Sequence, residues 1–178
     1  AFIYPLSILA AKPIALVIGP RYIRYMKSGD FISAKNILFF SCGGLLFITV
    51  SIASVISGNA QEVIEFILGG GEFDASVASV TGGLLKLAIW GLPAEAISRV
   101  LLVPLLNDGR IHAVSVIYST RYIMQMGLSY ALFNWIGRNG LIWSYVVAVG
   151  LQLLFEAGYL SYIMGQKAPK PSWSDLGI

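Results

Sequence analysis

This sequence predicts an all-α fold, a polytopic transmembrane helix bundle of about five spans, on three observations. Of its 178 residues 57% are hydrophobic and 12% charged, and mean hydropathy is +0.76. A soluble domain is about half apolar and about a quarter charged, so half that charge points to a membrane protein. Several stretches approach or exceed the roughly 20 mostly apolar residues that a spanning helix needs. Lysine and arginine gather in alternate connections between those stretches, as the positive-inside rule requires of a multi-span protein.

The elements follow in order. The first segment covers residues 4–19, with Lys12 inside it and Pro5 and Pro13 as kink points. The opening, "AFIYPLSILAAKPIALVIGP", is apolar throughout, with neither a basic n-region nor a small-residue cleavage site. It reads as the end of a membrane helix that begins upstream, so the chain is expected to be a fragment. Residues 20–36 carry Arg21, Arg24, Lys27 and Lys35 interleaved with Tyr22, Ile23, Tyr25 and Met26. That pattern fits an amphipathic surface turn against anionic headgroups or a plain positive-inside loop, with equal weight. The second segment, residues 36–56, is free of charge. The third, residues 77–106, is longer than one span needs and holds Lys86, Glu95 and Arg99, with Gly91 and Pro93 near its middle as hinge candidates. The fourth covers residues 113–136 and contains Arg121; the fifth covers residues 140–165 and contains Glu156. Residues 1–166 thus form the bundle, and 167–178 read as the start of a cytoplasmic tail or linker. With segments 20–36, 107–112 and the C-terminal stretch inside, the base-free connection bearing Glu62, Glu65, Glu72 and Asp74 lies outside.

That outer connection contains "GGGEFDA", residues 69–75. It lacks the lysine and Ser/Thr that a phosphate-binding loop places after its last glycine, and it lacks the acid spacing of a calcium loop. Ahead of it, "QEVIEFIL" alternates apolar and acidic positions as a short interfacial helix does. The glycines end that helix, and Asp74 or Ser76 caps the next. The physical reading is helix stop, turn, helix start.

From this point the sequence resembles a known family. "FILGGGEFDASVASVTGGLLKLAIWGLPAEAISRVLLVPLLNDGRIH" resembles the loop and following helix in the second lobe of the MurJ/MviN family, with its Gly-x-Phe-Asp-Ala turn, Gly-Leu-Pro break and terminal small-polar turn. "GPRYIRYMKSGDF" upstream and "GLIWSYVVAVGLQLLFEAGYLSYIMGQKAPKP" downstream are similar to the family's basic Gly-Asp connection and twelfth span. The resemblance covers almost the whole chain, as about spans eight to twelve of fourteen. One departure is the absence of an arginine among the glycines before Phe73.

The resemblance implies part of a lipid II flippase of the MOP exporter superfamily in the bacterial cytoplasmic membrane. Its substrate would be an undecaprenyl-diphosphate-linked peptidoglycan precursor, moved by alternating access between two lobes, the N-terminal lobe lying outside this chain. It implies no cofactor and no metal. The partners it implies are the lipid-linked oligosaccharide and the surrounding membrane lipids, with no nucleic acid. A related exporter of undecaprenyl-linked polysaccharide units, or a non-transporting membrane scaffold, would fit the same composition.

Charge at mid-bilayer is costly and marks functional positions. Lys12, in the helix that the resemblance places at the cavity, is a diphosphate candidate or a lysine reaching the interface; the family's cavity arginine would fall just before Ala1. Lys86 faces the cavity or the outer interface. Glu95 and Arg99, spaced i,i+4, can pair as a gate or as a static bundle contact. Arg121, with Gln125 one turn on, is a cavity or interfacial cation. Glu156, with Gln152 one turn before, is a candidate for ion or proton coupling or for a hydrogen bond to a neighbouring helix. Lone His112 has no acid or thiol cluster around it in sequence, Cys42 has no partner for a disulfide, and no nucleophile–base spacing is present, so an enzyme is the least supported class.

Overall fold

The computed structural model describes residues 3–68 and 75–167. These form α1 (Ile3–Lys27), α2 (Phe31–Gly58), α3 (Ala60–Leu68), α4 (Ala75–Ala88), a single 3-10 turn (Ile89–Gly91), α5 (Leu92–Asn107), α6 (Ile111–Ile136) and α7 (Arg138–Lys167). No strand occurs among the described residues, as an all-α bundle requires. The GGGEFDA turn at residues 69–74, its proposed Asp74 cap and the tail at 168–178 lie outside the described residues. The flanking helices α3 and α4 end and begin where the helix-stop reading puts them.

Local chemistry sets the corners. At the end of α1 the Asp30 N–H donates to the Tyr25 carbonyl at 3.0 Å, and at the end of α5 the Arg110 N–H donates to the Leu105 carbonyl at 3.1 Å. Both are the long bond of a glycine-terminated helix, closed around Gly29 (φ 78°) and Gly109 (φ 69°). Asp30 then serves the next helix: its Oδ1 accepts from the Ser33 N–H at 3.0 Å and caps α2. Residues 20–27 are therefore helix and not loop. They continue α1 through Pro20, and the connection shrinks to three residues, 28–30. Between α4 and α5, Pro93 has no N–H to donate, so the ladder tightens into a 3-10 turn and restarts with Pro93 in the first turn of α5. The sequence-predicted break at Gly91 and Pro93 falls there.

The contacts fix the directions of the helices. Ser129 meets Ser144 and Arg121 meets Gln152, eight residues apart on each helix and in opposite order, so α6 and α7 form an antiparallel hairpin. Gly91 meets Tyr145 and Ser98 meets Gln152, seven apart and in the same order, so α5 and α7 run parallel. Ser57 meets the Lys86 carbonyl and Gln61 packs on Gly82, so α2 and α3 run antiparallel to α4. Ser7 meets Arg99 and Gly19 meets Val103, which sets α1 parallel to α5. The connections at 28–30 and 108–110 consequently lie at one end of the bundle with the C-terminus of α7. That end carries Arg21, Arg24, Lys27, Lys35 and Arg110.

The main core joins Ala11, Ile18 and Tyr22 of α1, Leu38 and Leu45 of α2, Val100 and Leu105 of α5 and Leu160 of α7. Outside it the surface is apolar as well: Phe39, Phe40 and Phe47 are about three-quarters exposed, as is Met126. Side chains of that size facing outward in continuous bands suit hydrocarbon, not water. Four helical stretches are long and apolar enough to cross a membrane: Pro5–Lys27, Phe31–Gly58, Val77–Asn107 and Arg138–Gln166. The sequence predicts a fifth at 113–136. Helix α6 has the length but not the hydropathy, because Ser115, Ser119, Thr120, Arg121, Gln125 and Ser129 dilute it.

Candidate functional site

Helix α6 has a single buried residue among its described side chains, and that residue is Arg121. This inverts the usual rule for a helix in a bundle, and the reason lies on α5 and α7. Glu95 and Arg99 sit one turn apart on α5, where Arg99 Nη2 donates to Glu95 Oε1 at 3.1 Å. Arg121 Nη1 approaches the other carboxylate oxygen, Glu95 Oε2, at 3.1 Å. That contact has ion-pair distance without hydrogen-bond alignment. The same Nη1 donates to Gln152 Oε1 on α7 at 2.8 Å. The Gln152 amide nitrogen then donates to Ser98 Oγ at 2.9 Å and to Glu156 Oε1 at 2.7 Å. Arg99 Nε reaches across to Ser7 Oγ of α1 at 3.0 Å.

The result is one connected network linking α1, α5, α6 and α7. Glu95, Ser98, Arg121, Gln152 and Glu156 are all buried, and Arg99 is half-buried. The Arg121 guanidinium carbon lies 5.5 Å from the Tyr122 ring centre and 5.8 Å from that of Tyr145, within cation–π range. Arg121 Nε and Glu156 Oε2 are buried and make no hydrogen bond among the described residues.

The expected Glu95–Arg99 pair is present, but it is half of a larger arrangement. Arg121, expected at a cavity or an interface, is buried in the network and is the second cation on Glu95. Glu156 bonds back along its own helix to Gln152, and through that amide it joins the network. It also meets Ser98 on the neighbouring helix α5, as the sequence reading allowed. Ser7, Ser98, Gln152 and Tyr145 carry no charge to single them out in the sequence. The signal for Gln152 is its i,i+4 relation to Glu156. The two lysine candidates do not join: Lys12 is exposed on α1 and Lys86 is exposed on α4. Gly91 and Pro93 are both buried at the 3-10 turn. At Gly91 a Cβ would come within 2.5 Å of the Tyr145 ring, so glycine here permits close approach of α7.

Chemically the cluster has no nucleophile set beside a base. No group of three His, Cys, Asp or Glu among the described residues is arranged to hold a metal. What it offers is a set of bonds whose two ends lie on different helices, so that rearranging them changes how the helices sit. The fold and this network define a class: a polytopic α-helical membrane protein with a buried, multi-helix ionic core. Comparison of the chain with protein-family models, curated proteins and solved structures gave no match.

Proposed function

We propose that this chain is part of a flippase that moves lipid II across the bacterial cytoplasmic membrane by alternating access. Two things support the reading. One is the sequence resemblance to the second lobe of the MurJ/MviN family. The other, which carries the mechanistic part, is the Glu95–Arg99–Arg121–Gln152 network. A passive anchor gains nothing from ionised groups inside its spans, since each costs about 2.5–3.5 kcal/mol on insertion scales. A transporter uses such bonds as contacts that exchange between states. In this reading α6 is the fifth crossing. It lies antiparallel along α7, itself apolar enough to span, and its arginine is sheltered by Glu95 and Gln152. The exposed Lys12 would then face the N-terminal lobe and the diphosphate between the lobes, while Lys86 sits toward the other end of the bundle.

The test uses the full-length protein in cells depleted of their own lipid II flippase. Outer-leaflet lipid II is measured by its susceptibility to an externally added cleaving enzyme. Wild type should restore it, Lys12→Ala should reduce it more than Lys86→Ala, and Glu95→Gln should reduce it at unchanged membrane abundance. Failure of wild type to restore outer-leaflet lipid II would overturn the substrate. Equal activity of Lys12→Ala and wild type would remove the diphosphate role from Lys12.

A further inference from the structure

At the base-rich end of the bundle, α2, α5 and α7 splay apart around a groove of about 660 Å³. Its walls are almost wholly apolar: Leu38, Phe39 and Cys42 on α2, Ile97 and Leu101 on α5, Leu153 and Leu160 on α7. The trough exists because α7 turns small residues into it. Ala157, Ser161 and Gly165 follow one another at one-turn spacing along the lining. All three walls belong to stretches apolar enough to cross a membrane, so the groove opens to hydrocarbon. From Leu153 to Gly165 the lining covers 12 residue steps of α7. At 1.5 Å per residue that is about 18 Å, comparable with the roughly 15 Å depth of one leaflet.

Charge marks one end. Lys35 is the only ionisable side chain in the lining apart from the Cys42 thiol. It is exposed and makes no ion pair among the described residues. An apolar helix laid in the groove would cover this ammonium without compensating it. A phosphate would compensate it, and Arg21, Arg24 and Lys27 at the same end raise the local concentration of anionic headgroups.

We infer that the α2–α5–α7 groove is a binding site for one anionic glycerophospholipid, its phosphate on Lys35 and one acyl chain along the Ala157–Ser161–Gly165 floor. This assignment rests on the membrane architecture and not on the flippase reading.

The chain's single cysteine, Cys42, lines the groove one turn beyond Phe39 and reports its occupancy. The full-length protein, with any cysteines outside this chain replaced, is delipidated in detergent and titrated with phosphatidylglycerol or phosphatidylcholine. Bound lipid is counted by native mass spectrometry, and Cys42 is followed by its rate of maleimide labelling. Wild type should keep one phosphatidylglycerol, with at least fivefold preference over phosphatidylcholine and a matching slowing of Cys42 labelling. Lys35→Ala should lose the preference, and Ala157→Trp should lose both lipids. Should Ala157→Trp not fold, the Cys42 protection in wild type decides alone. Equal retention of both lipids by wild type and Lys35→Ala would overturn the proposal, as would labelling of Cys42 that lipid does not slow. Oxidative Cys42–Cys42 dimers that lipid leaves intact would overturn it too, by showing a second copy in the groove.

Discussion

Helix α5 takes part in two seams of different chemistry. Toward α2 and α1 it presents Ala96, Val100 and Leu105, packed on Leu38, Leu45, Ala11 and Ile18. Toward α6 and α7 it presents Glu95 and Ser98, bonded to Arg121 and Gln152, with Arg99 on the same pair. In a bilayer the first seam has little hydrophobic drive, because lipid tails are as apolar as leucine; close packing holds it, joined by the one Arg99–Ser7 hydrogen bond to α1. The second seam is directional. Each bond specifies which residues face each other, and lost bonds find no water to replace them. One seam measures volume and the other measures charge, so substitutions should separate them.

The largest effect is expected at Arg121. Arg121→Ala strands Glu95 Oε2 and Gln152 Oε1 inside the bundle, and breaking a buried pair this way costs about 3–5 kcal/mol. Thermal unfolding in detergent should show it, and Arg121→Met should be no better than Arg121→Ala, because charge rather than volume decides. Exchanging Glu95 and Arg99 is a sharper form of the test. An isolated pair would survive the swap. Here Glu95→Arg would set a second guanidinium against that of Arg121, so the double substitution should be less stable than either Glu95→Gln or Arg99→Gln. Recovery by the swap would mean that Arg121 does not belong to the pair.

Leu45→Ala comes next. Leu45 is fully buried in the apolar seam, and a leucine truncation costs about 2–5 kcal/mol. The low end is expected, about 2 kcal/mol, because lipid rather than water is the alternative surroundings. Its loss should be independent of ionic strength and additive with Arg121→Ala, since the two sites share no partner. Strong coupling between them would erase the distinction between the seams. Gly91→Ala forces a methyl against the Tyr145 ring at the head of the α5–α7 contact. Overpacking of this kind costs about 1 kcal/mol or more, and Tyr145→Leu in the same chain should recover most of it in a double-mutant cycle.

The smallest effect belongs to Asp30, at the exposed corner where neither seam reaches. The hydrogen bonds from Ser33 hold its carboxyl below the ordinary carboxylate range. A depressed folded value means that the stabilisation is present above the unfolded value of about 3.9 and fades as pH falls through the lower folded one. Asp30→Asn keeps an N-cap acceptor but removes the titration. The difference in melting temperature between wild type and Asp30→Asn should therefore shrink or reverse on acidification below about pH 4. A difference that stays constant with pH would show that the cap does not titrate.

What the sequence makes legible is what short-range rules govern. The break at Gly91 and Pro93, the short acidic helix before residues 69–74 and the Glu95–Arg99 pair all follow from spacings of a few residues. Arg121 is visible as a costly charge, but its partners are not, because Glu95 and Gln152 lie 26 and 31 residues away. Only the register of α6 against α7 and α5 brings them together, and no local pattern encodes that register. The extent of α1 escapes the sequence for a related reason. Apolar content marks where a helix is in lipid, while the Gly29 stop marks where it ends, and the two differ by eight residues between Gly19 and Lys27.

The antiparallel pairing of α6 and α7 has a mechanical consequence. With Gly137 (φ 63°) as the corner, Ser129–Ser144 nearest that corner and Arg121–Gln152 farther out, the hairpin is a lever with Arg121 near its working end. Sixteen residue steps from Gly137 place Arg121 about 24 Å from the pivot. A tilt of α6 of only about 5° about that corner displaces the guanidinium by about 2 Å at that radius. Set against the 3.1 Å contact with Glu95, that travel is enough to open it. A small rotation at the hairpin corner is thereby enough to make or break an ionic bond deep inside the bundle.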